Sequence, residues 1–527
     1  MDFDVPHEIR DYLDELDAFT EAEILPLERA HPEFFDHRRE HARTDWDAGG
    51  LPRPEWEALL AEMRRRADAG GHLRYGLPRE LGGRGASNLA MALVREHLAR
   101  RGPGLHNDLQ NESSIVGNFP LVHAIHAFGT EEQKQNYLEA LITGEHRIAF
   151  GLTEPAHGSD ALHLETRAVR DDDHFVLNGS KRFNTGLHTA TVDLVFARTS
   201  GRPGEPRGIT AFLVPTDAPG FSVDFFWSTF NMPTDHAEAT LRDVRVPASS
   251  ILGREGEGMA VAQHFVHENR IRQAASSLGA AGYCIERAMA YTRERRTFGR
   301  PLAENQAIHF PLAELATEAE MVRGLVARAA WLLDRRDPLE VTELVSMAYL
   351  RANRLRCEAA DRAMQVHGGL GYTRHLSYEH IYRHHRRYRI TEGSDEIQLR
   401  RIAGRLFGFS GRRAPGFARP APPGPGPGGR PPRAPIPNRA CEPEPPGALP
   451  RLHRPPRWGC PAWVSRPGGH GARAPGGEPP RPAPWRARRG LGRDGVGRFG
   501  VARDRNPTLA GLRALVAAVG RCAAEGA

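Results

Sequence analysis

The sequence predicts an α+β multidomain protein: an N-terminal α-helical domain, a middle antiparallel β-barrel domain and a C-terminal four-helix bundle, then a low-complexity tail. Three observations lead there. A chain of 527 residues exceeds what one hydrophobic core organises. Along it the apolar period changes from three-and-four to two and back again. Residues 412–527 hold 24 of the 42 prolines, a composition that buries no core.

Residues 1–148 read as helices. "EIRDYLDELDAFTEAEIL" and "PEWEALLAEMRRRADAG" place apolar side chains three and four apart, and "TEEQKQNYLEALITG" opens on Thr130 as an N-cap and stops at a glycine. From 149 to 258 the runs are short, β-rich and separated by turn residues. "ETRAVRDDDHFVLNG" reads as a hairpin around three aspartates, followed by "TVDLVFART", "GITAFLVP", "FSVDFF" and "ATLRDVRVP". From 259 to 409 three long helical stretches joined by short turns argue for the bundle. Within it "EHIYRHHRRYR" sets His380 and His384 four apart, but no third ligand is evident, so a solvated or interdomain helix face is the reading rather than a metal site.

Charge divides the chain at the same place. Residues 410–527 form a basic tail: the stretch from 412 carries 21 arginines against six acidic residues and no lysine, about +15. The whole chain is +6, which leaves about −9 for the folded part. Nucleic acid is therefore expected only as non-specific contact through the tail. Arginine, proline, glycine and alanine without lysine are also what a GC-rich gene yields when read in another frame. Cys284 and Cys357, with Cys441, Cys460 and Cys522 in the tail, show no disulfide or zinc spacing. The N-terminus is acidic and amphipathic and no run of about 18 apolar residues occurs, so a cytoplasmic protein without a membrane partner is expected. No P-loop and no G-x-G-x-x-G opening a βαβ unit appears, which argues against a nicotinamide enzyme.

Five motifs carry chemistry: "FGLTEPAHGSDA" (150–161), "NGSKRFNTG" (178–186), "ERRTFGRPLAENQA" (294–307), "QVHGGLGY" (365–372) and "ITEGSDEIQ" (390–398). In the first, a strand runs into a Pro-Gly loop, so hydroxyl and backbone N–H groups of Thr153, Gly158 and Ser159 face outward instead of pairing in a sheet. A decorated hairpin turn is the plainer alternative. In the second, Phe183 and Thr185 stand two apart, hence on one strand face. A core Phe beside a surface Thr is the plainer alternative there. In the third, Arg295 with Thr297 and Phe298 sits at a helix end, where arginine suits a phosphate and equally suits the helix dipole.

Together, in this order, the motifs resemble the acyl-CoA dehydrogenase family over about residues 5–408. The resemblance implies FAD as cofactor, an acyl-CoA thioester as substrate, a homodimer or homotetramer, and an electron-transfer flavoprotein as acceptor. It also implies site residues. Phe150, Leu152, Thr153, Gly158 and Ser159 would line the flavin and its pyrophosphate, with Ser159 also near the thioester. Phe183 and Thr185 would cover the ring. Arg295, Thr297 and Phe298 would reach the pyrophosphate from the neighbouring subunit. Gln306, Gln365, Gly368 and Gly369 would complete the cradle, with Ser394 and Glu396 added from the last motif. Asn269, Arg270 and Gly393 would touch substrate.

Glu392 is the implied base. Removing a proton α to a thioester needs a carboxylate in a dry pocket, and Gly393 permits the turn that aims it. Some members of the family carry the base on the helix that here reads "HFVHENRIRQAA", where Glu268 is one residue off register and Asn269 stands in its place. His157, His163, Asn184 and His384 depart from the family pattern, so the acyl group is left open. An oxygen-using acyl-CoA oxidase and a DNA-associated flavoprotein of the same fold are the alternatives. Every motif lies before residue 408, so deleting residues 412–527 should leave FAD content and acyl-CoA-dependent flavin bleaching unchanged, measured on full-length and truncated protein side by side.

Overall fold

The computed structural model describes residues 4–108 and 113–408, the side chains of His267 and Glu268 excepted. The readings on the tail, and on Glu268 as a base, lie outside the described residues. The N-terminal part is helical: α1 (His7–Phe19), α2 (Pro54–Ala69), α3 (Asn88–Arg100), α4 (Pro120–Phe128) and α5 (Glu131–Thr143). Thr130 caps α5 reciprocally with Gln133, and Gly144 ends it at a left-handed φ of 85°. Leu16, Trp56 and Met63 centre the core of this part. Over the Trp56 ring lies the Arg43 guanidinium, which also donates to Asp108 at 2.9 Å.

Seven strands follow, in one sheet: β1 (Ile148–Gly151), β2 (Arg167–Asp171), β3 (His174–Thr185), β4 (Val192–Arg198), β5 (Ile209–Pro215), β6 (Phe221–Phe226) and β7 (His236–Pro247). The order is β1-β4-β2-β3-β7-β6, with β5 also paired to β4. The β2–β3 hairpin turns at Asp172, φ 53°, within the three aspartates. An antiparallel domain was expected, and the sheet corrects this to a mixed one. β1 runs parallel to β4, and β2 meets β4 in parallel at Arg167 and Arg198. The chain enters β1 from α5 rather than from a neighbouring strand, so no hairpin forces an antiparallel pairing on it.

The C-terminal part holds α6 (Gly258–Glu294), α7 (Gln306–Leu333), α8 (Pro338–His367), α9 (Tyr378–Arg386) and α10 (Asp395–Leu406). α6 and α8 lie side by side and run the same way, since Tyr349 bonds Gln273, Asn353 bonds Ser277 and His367 stacks on Tyr291. Small residues, Ala274, Ala281, Ala352 and Ala360 among them, fill that core. Among the described residues no helix is long and apolar enough to cross a membrane.

α9 takes the interdomain of the two faces the sequence left open. Its histidines are not solvated: His380, His384 and His385 are buried, and the helix is wedged against both preceding parts. Arg383 donates to the Phe230 carbonyl and pairs with Glu40, while Arg39 donates to the Arg374 carbonyl. Burial together with the surrounding arginines holds His380 and His384 well below the ordinary histidine range, so both are neutral packing groups. Among the described residues no group of three or more His, Cys, Asp or Glu could hold a metal ion.

Candidate active site

Between α9 and α10 the chain makes a tight turn that carries Glu392. Glu392 has φ 54° and Gly393 φ 93°, two successive left-handed residues. The glycine adopts this without cost, whereas the glutamate is strained by about 1–2 kcal/mol. Side chains from three helices hold it there. Arg270 of α6 donates through Nε and Nη2 to the Glu392 carbonyl at 2.9 and 2.5 Å. Gln398 of α10 donates to the same carbonyl at 3.1 Å and to that of Gly393 at 2.7 Å. Tyr349 of α8 donates to the Thr391 carbonyl at 2.9 Å.

Arg270 is buried. That burial, with Arg401 adding to it, pushes its pKa down to about 10, and the Glu392 charge opposes the shift. The arginine therefore stays charged at neutral pH. Its Nη1 is buried and has no hydrogen-bond partner among the described residues. One residue earlier, Asn269 is buried and its Oδ1 accepts from Arg272 Nη2 at 3.1 Å and from Asn118 Nδ2 at 3.3 Å. Ser394 is the N-cap residue of α10, and Glu396 lies exposed in its first turn.

The β-sheet residues approach the same end of α6. The Phe150 ring stacks on Phe265 with centroids 4.2 Å apart. Leu152 and Thr153 are half-buried, and Gly158 and Ser159 lie exposed in the turn beyond. Phe183 and Thr185 lie exposed on either side of the buried Asn184. β3 shifts register between Arg182 and Asn184, leaving Phe183 on a bulge at φ 62°. Both side chains are still exposed, Phe183 beside Trp227 at 5.7 Å and Thr185 bonded to His236 at 3.0 Å. Trp227 escaped the sequence reading, because nothing in "FFWSTF" marks a ring that reaches another strand.

A second group of residues lies at the far end of α6. Arg295 is the exposed C-cap, and Phe298 stands fully exposed at φ 50° in the turn that follows. The Arg295 carbonyl accepts from the Leu302 N–H at 2.7 Å, which places Thr297 and the start of α7 at Gln306 beside it. Gln365, Gly368 and Gly369 are exposed at the end of α8, next to the His367–Tyr291 stack. From Arg270 to Arg295 a helix rises about 37 Å. The structure thus gathers the sequence-chosen residues into two clusters and does not join them within one chain.

The linings fit a flat cofactor. A Cβ added at Gly158 would meet nothing nearer than Thr153 Cγ2 at 3.9 Å, and at Gly368 or Gly369 nothing within 4 Å. The Phe183 ring, about half exposed at 49%, offers a face for it. On the same strand Lys181, fully buried, donates to Glu154 Oε1 at 2.8 Å. Burial pushes the Glu154 carboxyl up, but Lys181 and the Thr166 and Glu165 N–H groups hold it below its usual range, so the pair remains ionic.

Residues 7–145, 149–244 and 256–407 match in turn the acyl-CoA dehydrogenase N-terminal, middle and C-terminal domain models. The chain is 36% identical over 332 residues to the probable acyl-CoA dehydrogenase YngJ of Bacillus subtilis, covering 63% of this chain and 85% of that one. It is 34% identical to CarC, a caffeyl-CoA reductase–Etf complex subunit of Acetobacterium woodii, over 63% and 86% of the two chains. The solved butyryl-CoA dehydrogenase of Megasphaera elsdenii is similar with a TM-score of 0.64 at 30% identity, covering 77% of this chain and 100% of that one.

Lys181→Met should lower unfolding stability by about 3–5 kcal/mol, because it strands Glu154 without its cation. Denaturant unfolding checks this, and Lys181→Met with Glu154→Gln should recover part of the loss.

Proposed function

The chain belongs to the acyl-CoA dehydrogenase family, an oxidoreductase family, and on that premise we propose that it dehydrogenates an acyl-CoA thioester to a trans-2-enoyl-CoA, with Glu392 as the base. The observation that carries this is the strained Glu392 turn, gripped through its own carbonyl by Arg270 and Gln398. Strain of that kind persists where surrounding structure over-determines it, and function is the usual reason.

The cofactor is FAD, which when bound accepts the hydride from the β carbon. Glu392 takes the α proton onto its carboxylate, so substrate loses one proton and one hydride in balance. The Glu392 backbone N–H is assigned to the thioester oxygen, where a fixed donor contributes roughly 3 kcal/mol as negative charge develops. Phe150, Leu152, Thr153, Gly158, Ser159, Phe183 and Thr185 are assigned to the cofactor at this end. Asn269, Arg270 and Gly393 are assigned to the substrate.

Arg295, Thr297, Phe298, Gln306, Gln365, Gly368 and Gly369 are assigned to the same cofactor from a second copy of the chain. The length of α6 supports this, since one helix cannot bring its two ends to one ligand. So does the exposure of Phe298, Phe310, Leu370 and Tyr372 at that end, apolar surface that a partner would cover. Electrons are assigned to an electron-transfer flavoprotein, a reading favoured by the relative named as part of an Etf complex. The oxidase and DNA-associated alternatives gain nothing from the relatives found.

Stopped-flow mixing of the purified protein with a panel of acyl-CoAs, following flavin bleaching, tests the reading directly. Glu392→Gln should keep FAD and acyl-CoA binding but slow bleaching on the order of 10²-fold or more, while Glu268→Gln should be far milder. The reverse order would move the base to α6. Arg295→Ala should lose FAD and wild type should be at least dimeric by light scattering; a monomer with stoichiometric FAD in both proteins would defeat the two-copy site.

A further inference from the structure

A buried polar pair lies beneath the cofactor-facing strands, and the chemistry above leaves it without a task. Asn184, beside Phe183 on β3, and Asp193 on β4 are both completely buried. Asn184 Nδ2 donates to Asp193 Oδ2 at 2.5 Å. Gly151 sits directly on them, for a Cβ there would stand 2.9 Å from both of those atoms. Strand register sets Ala149 and Val214 beside Asp193 and Ala237 beside Asn184, so the walls from β1, β5 and β7 are apolar. The charged group acting on the pair is Lys181 on β3, which is itself bound to Glu154, in the turn after β1, at 2.8 Å.

Each member has one oxygen left over. Asn184 Oδ1 and Asp193 Oδ1 are buried with no hydrogen-bond partner among the described residues. A carboxylate and an amide oxygen are both acceptors, so neither can serve the other. A single proton on Asp193 Oδ1 would supply the missing donor, and a second hydrogen bond from it to Asn184 Oδ1 would close the pair.

We propose that Asn184 and Asp193 are positioning residues for the cofactor: the closed acid–amide pair sets the Phe183 bulge against the Gly151–Thr153 turn, and loss of its proton loosens the hold on FAD. This rests on the assignment of those segments to FAD. Burial pushes the Asp193 carboxyl up to about 7, against the opposing pull of the Asn184 amide and Lys181. The proton thus leaves near neutrality. An unfolded aspartate releases its proton near pH ~4, so between about 4 and 7 the folded state binds the extra proton and stability falls as pH rises, levelling above that window.

The test uses the full chain carrying its FAD, diluted at pH 5.5 to 9 while free flavin fluorescence reports the dissociation constant, with thermal unfolding followed in parallel. Wild type should bind FAD roughly tenfold or more weakly above neutrality than at pH 5.5. Asp193→Asn, whose amide always carries a donor, should bind with flat pH dependence and lose the matching fall in unfolding temperature. Wild-type affinity that is flat with pH, or an Asp193→Asn protein with the same fall, overturns the proposal. Should Asp193→Asn not fold, Asn184→Leu decides: with no amide left to close the pair, FAD should bind weakly at every pH without a step, and an affinity step like that of the wild type overturns it. A wild type that binds FAD at no pH removes the FAD reading itself, and this proposal with it.

Discussion

The grip of Arg270 on the Glu392 carbonyl is the contact on which the proposed site depends. Burying a guanidinium costs several kcal/mol unless its donors are met, and here two of them end on one main-chain oxygen. Because those bonds fix the carbonyl, the backbone of Glu392 is set in the left-handed region and the side chain's starting direction is set with it. Lysine could not do this. Its single ammonium lacks the planar fork that fits two bonds to one acceptor. Gln398 of α10 adds a third donor to the same oxygen.

The turn is rigid because its holders are rigid. Arg270 and Tyr349 belong to α6 and α8, which are locked in one register from Gln273–Tyr349 through Ser277–Asn353 to Tyr291–His367. Alanines at the interface let the two backbones approach closely, so the register has little room to slip. Tyr349 serves both functions with one hydroxyl region, bonding Gln273 across the helices and the Thr391 carbonyl in the turn. Burial, together with the nearby Glu392 charge, raises its pKa well above the ordinary phenol value, which keeps the proton on as a donor.

Much of this was legible in the sequence, for reasons that are local. Thr130 and Gly144 announce α5 because capping chemistry acts within a few residues. The three aspartates announce the β2–β3 hairpin in the same way. What escaped involves partners distant in the chain. The parallel entry of β1 depends on which strand is already in place, the choice of an interdomain over a solvated face for α9 on two other parts of the molecule, and Trp227 reaches Phe183 only across the sheet. Asn184 was visible as an odd residue, yet Asp193 carries no mark that the two are bonded. Spacing along β3 placed Phe183 and Thr185 on one face, and what escaped is the bulge at Phe183, which has no sequence signature here.

The same rigidity has a consequence at the other end of the bundle. A pair of long helices in fixed register transmits position faithfully, but it also keeps Arg295 about 37 Å of helix from Arg270, and Gly368 about 28 Å of helix from Tyr349, the residues that hold the Glu392 turn. No hinge in α6 can close that gap, since its only departures from helix lie beyond Glu294. In the proposed reading the two ends meet only by exchange between copies, each lending its far end to the other's near end. Phe298 and Tyr372, exposed at 103% and 90%, are then partner-facing surface rather than solvent-facing surface. On that reading the helices that hold the proposed base so firmly also place the rest of the proposed cofactor site out of the chain's own reach.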